Sequence, residues 1–223
     1  MGWLALVLRR WRRVRVQVAY GAVALVVNLG AGGAMAESLR VLALGDSLTA
    51  GYGLPADAAF PVQLEKALRA QGYDVSIINA GVSGDTSAGG RARLDWALAD
   101  KPQVAIVELG ANDGLRGIDP KVTEQNLDAI LTRLKADGVT ILLTGMLAPP
   151  NYGADYAESF RQVYVRLAQR HRVAFYPFFL DGIARDPKLN QGDGLHPTRE
   201  GVAVIVQRIL PSVKQVLGNG GKG

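Results

Sequence analysis

Downstream of residue 36 the chain alternates between two patterns. Short apolar runs rich in β-branched residues (39–44, 75–79, 104–109, 140–145 and 173–177) take turns with longer stretches whose apolar residues recur every three to four positions. Continuous runs such as VAIVEL and TILLTG suit strands buried on both faces. Between them, Phe60, Leu64, Ala67 and Leu68 share one helical face, and Gly72 follows as a stop. Leu94, Ala97 and Leu98 mark a second helix. A third carries Leu127, Ile130, Leu131 and Leu134, opened by Asp119-Pro120 and closed by Gly138. Tyr156, Phe160, Val163, Tyr164 and Leu167 mark a fourth, and Val202, Ile205, Ile209, Val213 and Val216 the last. Such alternation predicts an α/β domain with helices on both faces of a parallel sheet. All strands then point one way, and the loops that follow them gather at one edge, where open α/β sheets bind ligands.

Those loops hold four polar clusters far apart in sequence. Gly45-Asp46-Ser47 follows the first strand, Gly81-Val82-Ser83-Gly84-Asp85 the second, and Gly110-Ala111-Asn112-Asp113 the third; Asp193-Gly194-Leu195-His196-Pro197 precedes the last helix. Acyl transfer needs a nucleophile, a base, a group that orients the base, and donors for an oxyanion. Ser47 at a strand-to-helix turn is the candidate nucleophile, with a helix N-terminus adding a field favourable to negative charge. His196 is the candidate base, and Asp193, three residues earlier, the group that fixes its tautomer. The backbone N–H groups of Ser47 and Gly84 and the amide of Asn112 are candidate oxyanion donors. His171, between Arg170 and Arg172, reads as solvated or capping. Taken singly, each cluster is also what an ordinary turn or helix cap looks like. Four such turns, each with a residue type acyl transfer requires, are what favour chemistry.

The blocks GDSLTAGYG, AGVSGDTS, ELGANDGLRG and DGLHP, in this order, resemble the SGNH (GDSL-type) hydrolase superfamily over essentially the whole mature chain. ELGANDGLRG and APPNYG are most similar to the exported bacterial thioesterase I/protease I/lysophospholipase (arylesterase) type. This chain has Gly110-Ala111 where that type often has two glycines. The resemblance implies a three-layer, flavodoxin-like fold with five parallel strands in the order 2-1-3-4-5. It also implies a Ser-His-Asp mechanism without metal or cofactor, acting on thioesters, aryl esters or lysophospholipids. No Gly-x-Ser-x-Gly elbow surrounds Ser47, which disfavours the α/β-hydrolase alternative.

Apolar residues on the same loops (Leu48, Tyr52, Leu54, Leu115, Ile118, Pro149, Pro150, Tyr152 and Leu195) are expected to line a shallow acyl groove for short to medium chains. The partner expected is thus a small-molecule or lipid ester. A carbohydrate O-deacetylase on the same fold is one alternative. A nucleotide- or flavin-binding module is another, since Gly51-Tyr52-Gly53-Leu54-Pro55-Ala56 mimics part of a dinucleotide fingerprint. That mimic does not directly follow the strand, and no Gly-Lys-Ser/Thr phosphate loop occurs. Asp46 in the first loop would also repel phosphate.

The net charge of +5 does not mark a nucleic-acid surface. Residues 1–36 hold five arginines and no acid, so removing them from 25 basic residues leaves 20 against 20 acidic ones. These arginines precede the apolar stretch 18–29 and an Ala34-Met35-Ala36 site, the pattern of a secretory signal cleaved before Glu37. The expected organisation is signal 1–36, hydrolase domain 37–217 and flexible tail 218–223, with export to the periplasm or medium and no membrane anchor after cleavage. The chain has no cysteine and two histidines, so neither disulfides nor a transition-metal site is expected.

Overall fold

A computed structural model describes residues 38–218. The expected signal segment and the tail beyond Gly218 lie outside the described residues. Five strands, β1 (Leu39–Gly45), β2 (Val75–Gly81), β3 (Val104–Glu108), β4 (Thr140–Thr144) and β5 (Ala174–Tyr176), form one sheet in the order 2-1-3-4-5. Every pairing is parallel. β5 is shorter than the expected 173–177, and β2 extends two residues further than expected, to Gly81.

Eight α-helices accompany the sheet among the described residues: α1 (Ser47–Ala50), α2 (Phe60–Arg69), α3 (Ser87–Ala92), α4 (Leu94–Ala97), α5 (Ala111–Leu115), α6 (Pro120–Ala136), α7 (Ala154–His171) and α8 (Arg199–Leu217). α2 packs with α8 against one side of the sheet, and α3, α6 and α7 pack together on the other. β3 is buried along its whole length and β1 along its last five residues, as continuous apolar runs between two helical layers must be. The expected helical faces of α2, α6, α7 and α8 supply core residues: Phe60, Leu64, Leu127, Ile130, Phe160, Leu167, Val202 and Ile209 are all fully buried. The second expected helix is the single turn α4, and α3, separated from it at Arg93, was not expected.

This topology places the site. β1 leads to α2 on one face, and β3 leads to α6 on the other. The loops after β1 and β3 therefore diverge at the switch point of the sheet, leaving a crevice between them. Ser47 lies at the end of β1 and Asn112 at the end of β3.

Candidate active site

The turn after β1 is set by residues on both sides of the nucleophile position. Asp46 is the N-cap of α1, its Oδ1 accepting from the Leu48 backbone N–H at 3.0 Å. Gly45 must lack a side chain, since a Cβ there would lie 2.0 Å from Thr49 Oγ1 and 2.6 Å from Glu108 Oε2. α1 is one turn long, so the field at Ser47 comes from a few local N–H groups rather than from a long helix dipole.

The loop before α8 is built around Asp193. Its Oδ1 accepts from the backbone N–H groups of Leu195 (2.9 Å) and His196 (3.0 Å), a compact turn that brings the two side chains together. Gly194 in this turn has φ +69°, a conformation side chains disfavour. Asp193 Oδ2 then lies 2.6 Å from His196 Nδ1, and His196 Nε2 lies 2.9 Å from Ser47 Oγ. The hydrogen bond from His196, followed by the two backbone bonds, lowers the Asp193 carboxyl to about 2. Buried Asn190 anchors the loop by donating to the Ile183 and Asp186 carbonyls, and Gln191 N–H donates to His196 O at 2.7 Å. The Tyr52 ring lies 4.5 Å from the His196 ring, centroid to centroid.

Asn112 is in the first turn of α5. Its Nδ2 donates to Asp85 O at 2.9 Å and faces Asp46 Oδ2 at 3.3 Å. Gly84 is exposed, with φ +86° and open space where a Cβ would project. Its glycine requirement is thus conformational, not one of close packing. Arg116 Nη2 donates to Gly84 O, tying the Gly84 loop to the segment that carries Asn112. Among the described residues, nothing accepts from the N–H of Ser47 or Gly84. The sheet edge thus gathers Ser47, His196, Asp193 and Asn112, and places Gly84 on the loop that Asn112 and Arg116 hold.

Three expectations need correction. Leu48 does not line a groove: it is 5% exposed and joins the core beneath the turn. Asp46 is fully buried under the turn rather than at the loop mouth, with Oδ2 3.3 Å from Asn112 Nδ2. His171 is not solvated. Its side chain is largely enclosed, with Nε2 2.8 Å from Asp128 Oδ1. Of the other groove candidates, Tyr52, Leu115, Tyr152 and Leu195 are exposed, and Pro149 is half-buried. Val82 and Leu147, also exposed at this edge, belong with them. Tyr152 OH donates to Leu115 O and Tyr156 OH to Ile118 O, so the 149–152 loop and the first turn of α7 are joined to the end of α5 and the segment after it.

Several buried or part-buried polar residues escaped the sequence reading, among them Glu108, Ser87, Thr123, Asn126, Asn190 and Arg93. Asp113, noted only as a neighbour of Asn112, is buried and accepts from Ser87 N–H, Ser87 Oγ and Thr123 Oγ1. It thereby ties α3, α5 and α6 together. Arg93 donates to Asp85 Oδ2 and to Gly45 O. The available signal was an acid ending an otherwise apolar strand run, VAIVE. Among the described residues, no group of three or more His, Cys, Asp or Glu is placed to hold a metal ion.

A parallel α/β sheet with serine, histidine and aspartate in hydrogen-bonded line at its carboxyl edge is the arrangement of a serine hydrolase. Comparison with known proteins makes the assignment narrower. Residues 43–204 match the GDSL-like lipase/acylhydrolase family, and the chain belongs to that family as an ester-bond hydrolase. It is 40% identical over 183 residues to Esterase TesA of Pseudomonas aeruginosa, covering 82% of this chain and 91% of that protein. It is 44% identical over 161 residues to thioesterase 1/protease 1/lysophospholipase L1 of Escherichia coli, covering 72% of this chain and 76% of that protein. Among solved structures, the crystal structure of TesA superposes with a TM-score of 0.77 at 40% identity, over 80% of this chain and 99% of that one. AlinE4, an SGNH-hydrolase family esterase, superposes with a TM-score of 0.69 at 48% identity, over 82% and 99%.

Proposed function

We propose that the chain hydrolyses carboxylic esters and thioesters of short to medium acyl groups through an acyl-enzyme on Ser47. The observation that carries this reading is the line Asp193 Oδ2, His196 Nδ1, His196 Nε2, Ser47 Oγ, with both contacts within hydrogen-bond distance. Ser47 Oγ attacks the carbonyl carbon while its proton passes to His196 Nε2. Asp193, ionised, accepts from Nδ1–H and stabilises the imidazolium. The oxyanion takes hydrogen bonds from the N–H groups of Ser47 and Gly84 and from Asn112 Nδ2. Asn112 supplies this by exchanging its long contact to Asp46 for a stronger acceptor. The C–O or C–S bond then breaks, and the imidazolium protonates the leaving oxygen or sulfur. A water, deprotonated by the same histidine, releases the acid and frees Ser47.

The acyl chain lies along the exposed apolar residues Tyr52, Leu115, Leu147, Tyr152 and Leu195. Six of the eight large apolar side chains exposed among the described residues stand on the loops at this edge, Val82 being the sixth, which favours an acyl substrate over an acetylated sugar. Relatives named arylesterase and thioesterase/lysophospholipase support the same range. The leader pattern of residues 1–36 supports export, so the native substrate is a lipid or diffusible ester rather than a cytosolic CoA thioester. Fluorophosphonate treatment should place a single adduct on Ser47, read by mass spectrometry. A folded protein without that adduct would remove Ser47 as nucleophile. Hydrolysis of acetylated glycans with none of butyryl or longer esters would transfer the assignment to an O-deacetylase. A mature N-terminus upstream of Ala34 would remove the export proposal.

A further inference from the structure

Behind the Ser47 turn, β3 ends on an acid that the reaction above does not use. Glu108 is 1% exposed. It pairs in register with Gly45, the residue at which the turn begins. Its Oε2 accepts from Thr49 Oγ1 at 2.8 Å and from the Asp46 backbone N–H at 3.4 Å. These two partners flank Ser47 in sequence, so one carboxyl oxygen holds both ends of the turn that carries the nucleophile. The missing side chain at Gly45 leaves the space in which Glu108 and Thr49 meet.

Among the described residues, no lysine or arginine forms an ion pair with the Glu108 carboxyl, and Oε1 is buried without a partner. The groups around it are Asp46 from the β1 turn, itself fully buried, and Tyr164 from α7, whose hydroxyl donates to Leu109 O. Arg93 approaches the same turn, donating from Nε to Asp85 and from Nη2 to Gly45 O; its Nη1 is buried without a partner and makes no contact with Glu108. A bare carboxylate beside a second acid in such a place is far more costly than a protonated one. Burial first, and then the Asp46 charge, push the Glu108 carboxyl well above its usual range.

We propose that Glu108 is a positioning residue for the nucleophile: a neutral carboxylic acid that reaches under the turn from β3 and holds Ser47 in line with His196. The inference rests on the Ser47–His196 reading. A carbonyl-like Oε2 accepts both hydrogen bonds, and Oε1 carries the proton. Glutamine reproduces that arrangement without charge, with its amide nitrogen where the acid has O–H. Removing the carboxyl frees the turn, and displacement of Ser47 by an ångström or less lowers the rate without touching the groove.

The test compares Glu108→Ala, Glu108→Gln, Thr49→Val and Ser47→Ala on p-nitrophenyl butyrate. Glu108→Ala should lower kcat by about 10- to 100-fold with KM within about threefold, and should slow fluorophosphonate labelling of Ser47 in proportion. Glu108→Gln should recover most of the loss. Thr49→Val, which removes the same contact from the other side without opening a large cavity, should lower kcat by about tenfold. It answers the question if Glu108→Ala fails to fold. An acid protonated only when folded weakens the protein as pH rises past the range where it ionises when unfolded. The Glu108→Gln denaturation midpoint should therefore exceed that of the native chain at pH 8, and the gap should close towards pH 4. Native kcat in both Glu108→Ala and Thr49→Val, or Glu108→Gln no better than Glu108→Ala, would overturn the positioning role. A gap independent of pH would overturn the neutral acid. Activity surviving in Ser47→Ala would instead sink the nucleophile reading itself.

Discussion

Two groups of acids in this molecule live in opposite surroundings. On the outer face of α6 and α7, Glu124 and Asp128 meet Arg166, Arg170 and His171 across the helix pair. The hydrogen bond from Arg166 holds the Glu124 carboxyl below its usual value, and that from His171 does the same for Asp128. Beneath the Ser47 turn, Asp46 and Glu108 are buried with no lysine or arginine ion-paired to them among the described residues, and burial raises both, Asp46 to about 6. The first arrangement is compensated, with the two arginines half exposed, so its charges are neutralised by partners and partly screened by water. The second is uncompensated, so it weighs against stability near neutral pH, and it lies against the residues that line up Ser47 and Asn112. Polar groups that work against stability are concentrated where the chemistry is, in keeping with the general trade between stability and function.

Five measurements would break or sharpen that contrast. The largest effect is expected from Ser47→Ala, which should lower kcat by roughly 10⁴- to 10⁶-fold while the melting temperature stays close to native. A small loss would mean that the carboxyl edge is not where bonds are broken. Asn112→Ala should lower kcat by roughly 10²–10³-fold with the fold intact, and an unchanged kcat would take Asn112 out of the oxyanion site. Asp113→Ala strands the buried donors of Ser87 and Thr123, so chemical denaturation should show a loss of about 2–4 kcal/mol.

Asp46 supplies a test by pH. Its folded-state value is raised, so its contribution is fully present below the unfolded value near 3.8 and is lost as pH climbs through about 6. Relative to Asp46→Asn, the native chain should lose roughly 1–3 kcal/mol between pH 4 and pH 7. Parallel stability curves across that window would place the charge elsewhere. The smallest effect belongs to the helix face. Glu124→Gln should cost about 1 kcal/mol or less, shrinking further in high salt, because Arg166 and Arg170 are half exposed and water screens their side of the pairs. A loss as large as that of Asp113→Ala would erase the distinction between the two regions.

The architecture was legible because its signals are local. VAIVE and TILLT are continuous apolar runs, and the three-to-four spacing in α6, α7 and α8 is read without knowing any partner. Asp193 and His196 were legible for a similar reason: three residues apart, they are joined by a turn their own backbone makes. Leu48 was misjudged because a one-turn helix has too little periodicity to reveal which side faces inwards. Glu108 and Asp113 gave almost no signal, since their partners, Thr49 and Ser87, stand 59 and 26 residues away.

The sequence by itself determined which segments become strands and helices and which residue types reach the carboxyl edge. It also supplied the family likeness. Those follow from side-chain shape and hydrophobic period, which act between near neighbours. The tertiary structure alone decided that Ser47 Oγ stands 2.9 Å from His196 Nε2, that Asn112 turns towards Asp46 and Asp85, and that a buried acid with one oxygen unpartnered lies under the nucleophile. These depend on the sheet bringing together residues more than 60 positions apart in several cases, and on burial removing the water that would otherwise make their charges inconsequential.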